Sequence, residues 1–139
     1  MKIAVVYWSS TGNTESMAQA VAEGAKKAGA ETELFTAAEF DGGKMDGFDA
    51  VAFGCPAMGA EELEDTEFAP MFEDCEGKLS GKKIALFGSY GWGDGEWMRT
   101  WEETCQSKGA NLVCDSVICQ ETPDEDALDA CRKLGEALV

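Results

Sequence analysis

The chain has 139 residues, with 27 acidic side chains against 11 Lys and Arg, no histidine and a formal charge of -16. That length builds one domain, residues 1–139, and its charge argues against nucleic acid and anionic membrane surfaces, both of which demand positive charge. The missing histidine excludes Ser-His-Asp and Cys-His catalysis and any His-containing metal site.

Residues 2–8 (KIAVVYW) form a nearly unbroken apolar run, which predicts a strand buried on both faces. A turn follows over 9–13. Met17, Val21, Ala25 and Ala28 then recur at helical spacing, so 14–28 is a predicted helix ended by Gly29. Residues 32–36 read as a second strand, 37–48 as a loop carrying Gly42, Gly43 and Gly47, and 49–54 as a third strand. Phe68, Met71, Phe72 and Cys75 fit a short helix beginning near Pro70. Residues 83–88 (KIALFG) make a fourth strand, and in the helix 96–108 Trp97, Met98, Trp101 and Cys105 share one face as core. A fifth strand spans 112–119, and Pro123 precedes a closing helix over 124–138. Alternation of this kind implies an α/β domain with a parallel sheet covered on both faces, and it places ligands at the carboxyl ends of the strands.

The six cysteines include no CxxC pair and follow no secretory leader, so they read as reduced thiols of a cytoplasmic protein. The opening MKIAVVYW is too short for a signal peptide or a membrane span.

Three segments fall at those strand ends. SSTGNT, residues 9–14, offers Gly12, a helix N-terminus and the neutral donors of Ser9, Ser10, Thr11, Asn13 and Thr14, a collection suited to a dianionic phosphate. It lacks the lysine of GxxxxGK[ST] and the glycines of GxGxxG. The plainer alternative is a helix cap, for which one such residue suffices. GCPAMGAEELE, residues 54–64, turns sharply at Pro56 and Gly59 and presents Met58 in the turn. GSYGWGDGEW, residues 88–97, sets Tyr90 and Trp92 among four glycines, where a flat aromatic ligand would give the rings something to stack on.

With these three segments at their places, the chain resembles a short-chain flavodoxin over essentially its whole length. The resemblance implies a flavodoxin-like three-layer sandwich with strand order 2-1-3-4-5, a non-covalent FMN, and one-electron carriage between redox proteins. It assigns the phosphate to Ser9, Ser10, Thr11, Gly12, Asn13 and Thr14, although Ser10 stands where similar proteins most often have glycine. Pro56 and Ala57 belong to the second loop, where Met58 lies on the inner face of the ring and Trp92 stacks on the outer one. Gly59 and Ala60 supply the peptide beside flavin N5. Glu61 meets the pyrimidine end through its amide, with its carboxylate a further contact for N3-H. Ser89, Tyr90, Gly91 and Gly93 line the ring mainly with backbone, and the direction of the Tyr90 ring is left open. Trp8 shapes the phosphate end.

Glycine followed by alanine at 59–60 favours a type II′ turn, with positive φ at Gly59 and negative φ at Ala60. In similar proteins that turn points a carbonyl at N5-H, which stabilises the semiquinone. Glu61, Glu62, Glu64, Asp65, Asp94 and Glu96 disfavour the anionic hydroquinone and lower the second potential, since no Lys or Arg lies between Lys44 and Lys78. The expected partners are reductases and acceptors with basic docking faces, met by a monomer; the plainer reading of the acids from 61 to 76 is a solvated solubility face. A receiver domain would need acids where WSSTGN stands, and a Cys-x5-Arg phosphatase would need arginine where Glu61 stands. The remaining alternative is a small FMN-dependent quinone or azo reductase, or a non-carrier flavin-binding module.

Overall fold

Short runs rich in Val, Ala and Ile supply the sheet in a computed structural model that describes residues 1–139 except Ala60 and Trp92. Strands β1 (Lys2–Tyr7), β2 (Glu31–Thr36), β3 (Ala50–Gly54) and β4 (Lys83–Tyr90) are parallel neighbours in the order β2-β1-β3-β4. Every residue of β3 is buried, because successive side chains feed opposite layers. Ala50 and Ala52 join Ile3, Val5 and the helices α1 (Asn13–Lys27) and α5 (Glu125–Ala137). Val51 and Phe53 join Ala4, Val6 and the helices α3 (Phe68–Cys75) and α4 (Glu96–Ser107). The result is a three-layer sandwich.

Trp97 and Trp101 are core residues of α4, as their spacing predicts, and Phe53 and Trp101 each meet Phe68 and Phe72 edge to face at 5.1–6.5 Å. On the other face, α1 and α5 touch backbone to backbone. A methyl group on Gly24 would sit 1.9 Å from the Arg132 carbonyl oxygen, and one on Gly135 would sit 2.1 Å from that of Val21.

Three expectations need correction. The presumed loop 37–48 holds a 3-10 turn (Ala37–Glu39) and a one-turn helix α2 (Gly42–Met45). Thr36 and Glu39 form a capping box, Asp41 accepts from the Lys44 amide at 2.9 Å, and Phe40, Met45 and Phe48 are drawn into the core. Helix α3 begins at Phe68, two residues before Pro70, because a first-turn position has no intrahelical N–H bond for proline to forfeit. The fifth strand is broken: β5 (Asn111–Leu112) pairs Leu112 with Ile84, and β6 (Val117–Gln120) pairs Val117 with Phe87. Two surplus residues bulge between them, held by a 2.7 Å bond from the Ser116 hydroxyl to Glu102. Both pieces lie beside β4, so the order 2-1-3-4-5 stands with its last strand in two parts.

Candidate functional site

The loops after β1, β3 and β4 converge at the carboxyl edge of the sheet. Leaving β1, the chain reverses at Gly12, whose φ of +93° places it in the left-handed region. The Gly12 amide donates to Ser9 Oγ at 3.1 Å, which leaves the Ser9 proton free to donate. The first helical bond runs from the Ser16 amide to the Gly12 carbonyl at 3.0 Å, so the amides of Asn13, Thr14 and Glu15 lie beyond the reach of intrahelical acceptors. These amides and the positive end of α1 make an anion nest. The Thr14 hydroxyl is already engaged: it shares a buried 3.2 Å hydrogen bond with Ser89 Oγ, tying the loop to β4.

The second loop is pinned to β4 by the Cys55 amide on the Phe87 carbonyl and the Ala57 amide on the Ser89 carbonyl, at 3.2 and 3.0 Å. Met58 and Glu62 then exchange both backbone bonds, at 2.8 and 3.0 Å, so the chain enters and leaves this segment side by side. Gly59 has the positive φ expected of it, +46°, while Ala60, the other half of that expectation, lies outside the described residues. Glu61 also has positive φ, +59°, a conformation costing a side-chain-bearing residue roughly 1 kcal/mol or more. Both oxygens of its carboxylate are shielded from solvent and have no hydrogen-bond partner among the described residues. They face Gly93, where a methyl group would sit 1.9 Å from Oε1.

At the end of β4, where the third loop begins, Ser89 is buried, and Tyr90 leans on Trp97 with ring centroids 5.5 Å apart while still lining the cleft. Gln120 and Glu121 brace the loop, donating to the Gly91 and Tyr90 carbonyls at 3.3 and 2.7 Å. Trp92 lies outside the described residues.

Ser10, Thr11, Asn13, Pro56, Ala57, Met58, Ser89, Tyr90 and Gly91 share one cleft of about 230 Å³ with Glu121. Ala57 and Gly91 also border a hollow of about 200 Å³ that Gly59 and Glu61 line. Ser9 and Gly12 lie on the far side of the nest, in a depression shared with Trp8, whose indole donates to Glu67 at 3.1 Å. Sequence reasoning missed Glu121. It follows β6 at a positive φ of +58°, and its position at a strand's carboxyl end was the available signal.

Glu64 departs from its expected place among the acids around the ring. It turns inward and is only 5% exposed. Its Oε1 accepts from the amides of Glu67 and Phe68 at 2.8 and 2.9 Å, and its Oε2 from the Thr66 amide at 2.9 Å and the Thr66 hydroxyl. Burial pushes this carboxyl up, but the hydroxyl and the three amides outweigh it and hold it at about 2. Asp94, counted with the same acids, pairs with Arg99 at 3.1 Å.

Burial pushes the thiols of Cys55, Cys75, Cys105 and Cys131 up to about 12, which makes them poor nucleophiles. Among the described residues no group of His, Cys, Asp or Glu is placed to hold a metal, and no helix is long and apolar enough to cross a membrane. Chemically, the site joins an anion nest to a slot bordered by Met58 and Tyr90, with a donor-poor carboxylate at the edge of the adjoining hollow. That donor set fits a flat heterocycle bearing a phosphate ester and a ring N–H.

A model of the flavodoxin family matches residues 5–135. The flavodoxin of Megasphaera elsdenii is 44% identical over 135 residues, covering 97% of this chain and 96% of that one. The flavodoxin of Clostridium beijerinckii is 43% identical over 135 residues, covering 97% of each. The solution structure of the two-electron reduced Megasphaera elsdenii protein superposes with a TM-score of 0.89, covering 98% of this chain and 97% of that one.

Proposed function

Because the chain belongs to the flavodoxin family, one of short FMN-binding electron carriers, we propose that it holds one FMN non-covalently and carries single electrons at low potential between redox proteins. The observation that carries this reading is the Glu61 carboxylate, buried without a donor among the described residues in a hollow that adjoins the cleft lined by Ser10, Thr11 and Asn13. A buried carboxylate lacking donors is costly, and a ring N3-H supplies one.

In this reading the amides of residues 10–14 bind the phosphate, with Ser9, Ser10, Thr11 and Asn13 adding side-chain donors. Met58 would cover one face of the ring and Trp92 the other, and the carbonyl of the Gly59–Ala60 peptide would accept from a proton held at N5. When bound, FMN supplies the redox chemistry, accepting two electrons one at a time. Glu61, Glu62 and Asp65 oppose negative charge on the ring, so the working couple is that of the second electron. The same acids steer the protein toward reductases and acceptors with basic faces. We place it in the cytoplasm, as a monomer and a carrier rather than an enzyme.

Anaerobic stepwise reduction followed by absorbance, with mass analysis of the released cofactor, tests this. One FMN per chain and two resolved one-electron steps are expected. Recovery of FAD, or of no flavin, would overturn the assignment, and rapid NAD(P)H-driven reduction of a quinone or azo dye by the isolated protein would favour the reductase reading.

A further inference from the structure

Gly93 has a φ of +88°, in the left-handed region, and a methyl group built on it would sit 1.9 Å from Glu61 Oε1, 2.8 Å from Cδ and 3.6 Å from Cγ. Its nearest neighbours thus all belong to one side chain. Glycine is required here twice, once by the backbone angle and once by what lies against it. Elsewhere in the molecule the two demands are separate. Gly12, Gly29, Gly59 and Gly81 have positive φ with nothing within 4 Å of such a methyl group, and Gly91, two positions away, also looks onto open space. The carboxylate against Gly93 is itself unusual. Both its oxygens are shielded from solvent and lack a partner among the described residues, and Glu61 holds a φ of +59°. An acid kept dry and unpaired on a left-handed backbone is unfavourable in the free protein, a cost that a ligand's donor removes.

We propose that Gly93 is a positioning residue for cofactor recognition: its bare backbone is the space in which the Glu61 carboxylate must lie to accept from the ring N3-H. The proposal rests on the FMN reading above and gives Gly93 a role exerted through Glu61 rather than on the ring. A side chain at 93 collides with the end of a flexible arm and not with backbone, so it displaces the carboxylate and leaves the loops in place. Once displaced, the carboxylate regains water, which partly offsets in the free protein the strain of a methyl group at +88°. The loss therefore falls on recognition, because the ring N–H no longer meets a charged acceptor.

The test uses the full chain reconstituted with FMN labelled with 15N at N3, and reads the N3-H proton resonance, its exchange with water and the FMN dissociation constant. In the parent an exchange-protected N3-H resonance is expected. Glu61→Ala and Gly93→Ala should each abolish the protection and weaken FMN roughly tenfold. In a chain that already carries Glu61→Ala, adding Gly93→Ala should change the dissociation constant less than about twofold, since the collision has gone and backbone strain at 93 is common to free and bound protein. Gly93→Asn carries the same Cβ and accepts positive φ more readily, so it serves if the alanine variant does not fold, with the same result expected. A protected N3-H in the Gly93 variants overturns the inference. So does a full tenfold loss when Gly93→Ala is added to Glu61→Ala, which would mean that the methyl group meets the ring directly. An unprotected N3-H in the parent with FMN bound would overturn the Glu61 contact and this inference with it, whereas a parent that binds no FMN would overturn the cofactor reading as well.

Discussion

Replacing Glu64 by glutamine leaves shape nearly unchanged but sets an NH2 group against donors. In the parent, one carboxylate oxygen faces two amides and the other faces an amide and a hydroxyl. Glutamine can satisfy one side only. Helix α3 receives no side-chain cap from Glu67, its N-cap residue, so Glu64 performs that service from three positions upstream. The magnitude follows from the carboxyl's displacement from 4.5 to about 2, which converts in full to about 3 kcal/mol. Solvent screening at this loop–helix junction reduces the expectation to about 2 kcal/mol. Because the folded value lies below the unfolded one, this stability is complete above about pH 4.5 and is lost as pH falls from there toward 2. Urea unfolding of the apoprotein at pH 7, 5 and 3.5 measures it. Glu64→Gln should cost about 2 kcal/mol at neutral pH, about 6 °C in Tm, and visibly less at the acid end. A difference under about 0.5 kcal/mol at pH 7, or one that stays constant with pH, would refute the reasoning.

Asn13→Ala and Thr14→Ala should weaken FMN far more than riboflavin in calorimetric titrations of the apoprotein, since they disturb donors at the phosphate end. Equal losses would mean that the phosphate lies elsewhere. Gly24→Ala and Gly135→Ala should each destabilise the fold by about 2 kcal/mol or more in urea, because the added methyl groups meet backbone carbonyls that cannot yield without separating α1 from α5. Gly59→Ala should lower the potential of the first electron by about 40 mV for each kcal/mol lost at its positive φ; an unchanged midpoint in a redox titration would remove the turn from the mechanism.

What the sequence disclosed depended on whether the cause was local. Strands β1 and β3 are legible because burial on both faces leaves unbroken apolar runs. The SSTGNT loop is legible because a glycine turn and a helix N-terminus are properties of adjacent residues. The broken fifth strand is not, since Val113 and Cys114 continue an apolar pattern, and only the spacing of Ile84 and Phe87 on β4 dictates where the surplus residues go. Gly24 reads as a flaw in a helix until Arg132, far along the chain, is seen pressed against it. Charge alone cannot say whether an acid turns inward, so in the sequence Glu64 is indistinguishable from its exposed neighbours. Within the site the loops were identifiable, but the Thr14–Ser89 bond spans 75 positions and had no signature in either motif.

The interruption between β5 and β6 also bears on how the molecule avoids its own kind. A sheet edge with a long, straight row of free amides and carbonyls invites another chain to add a strand. Here that border offers one stretch of two residues and another of four, separated by a bulge that turns the backbone away. The opposite border, β2, is an uninterrupted six residues and exposes Leu34, but Glu31 and Glu33 are exposed beside it. A second copy approaching edge to edge therefore meets a broken ladder on one side and like charge on the other, and the dense acidity of the chain guards against aggregation at the place where a parallel sheet is most vulnerable to it.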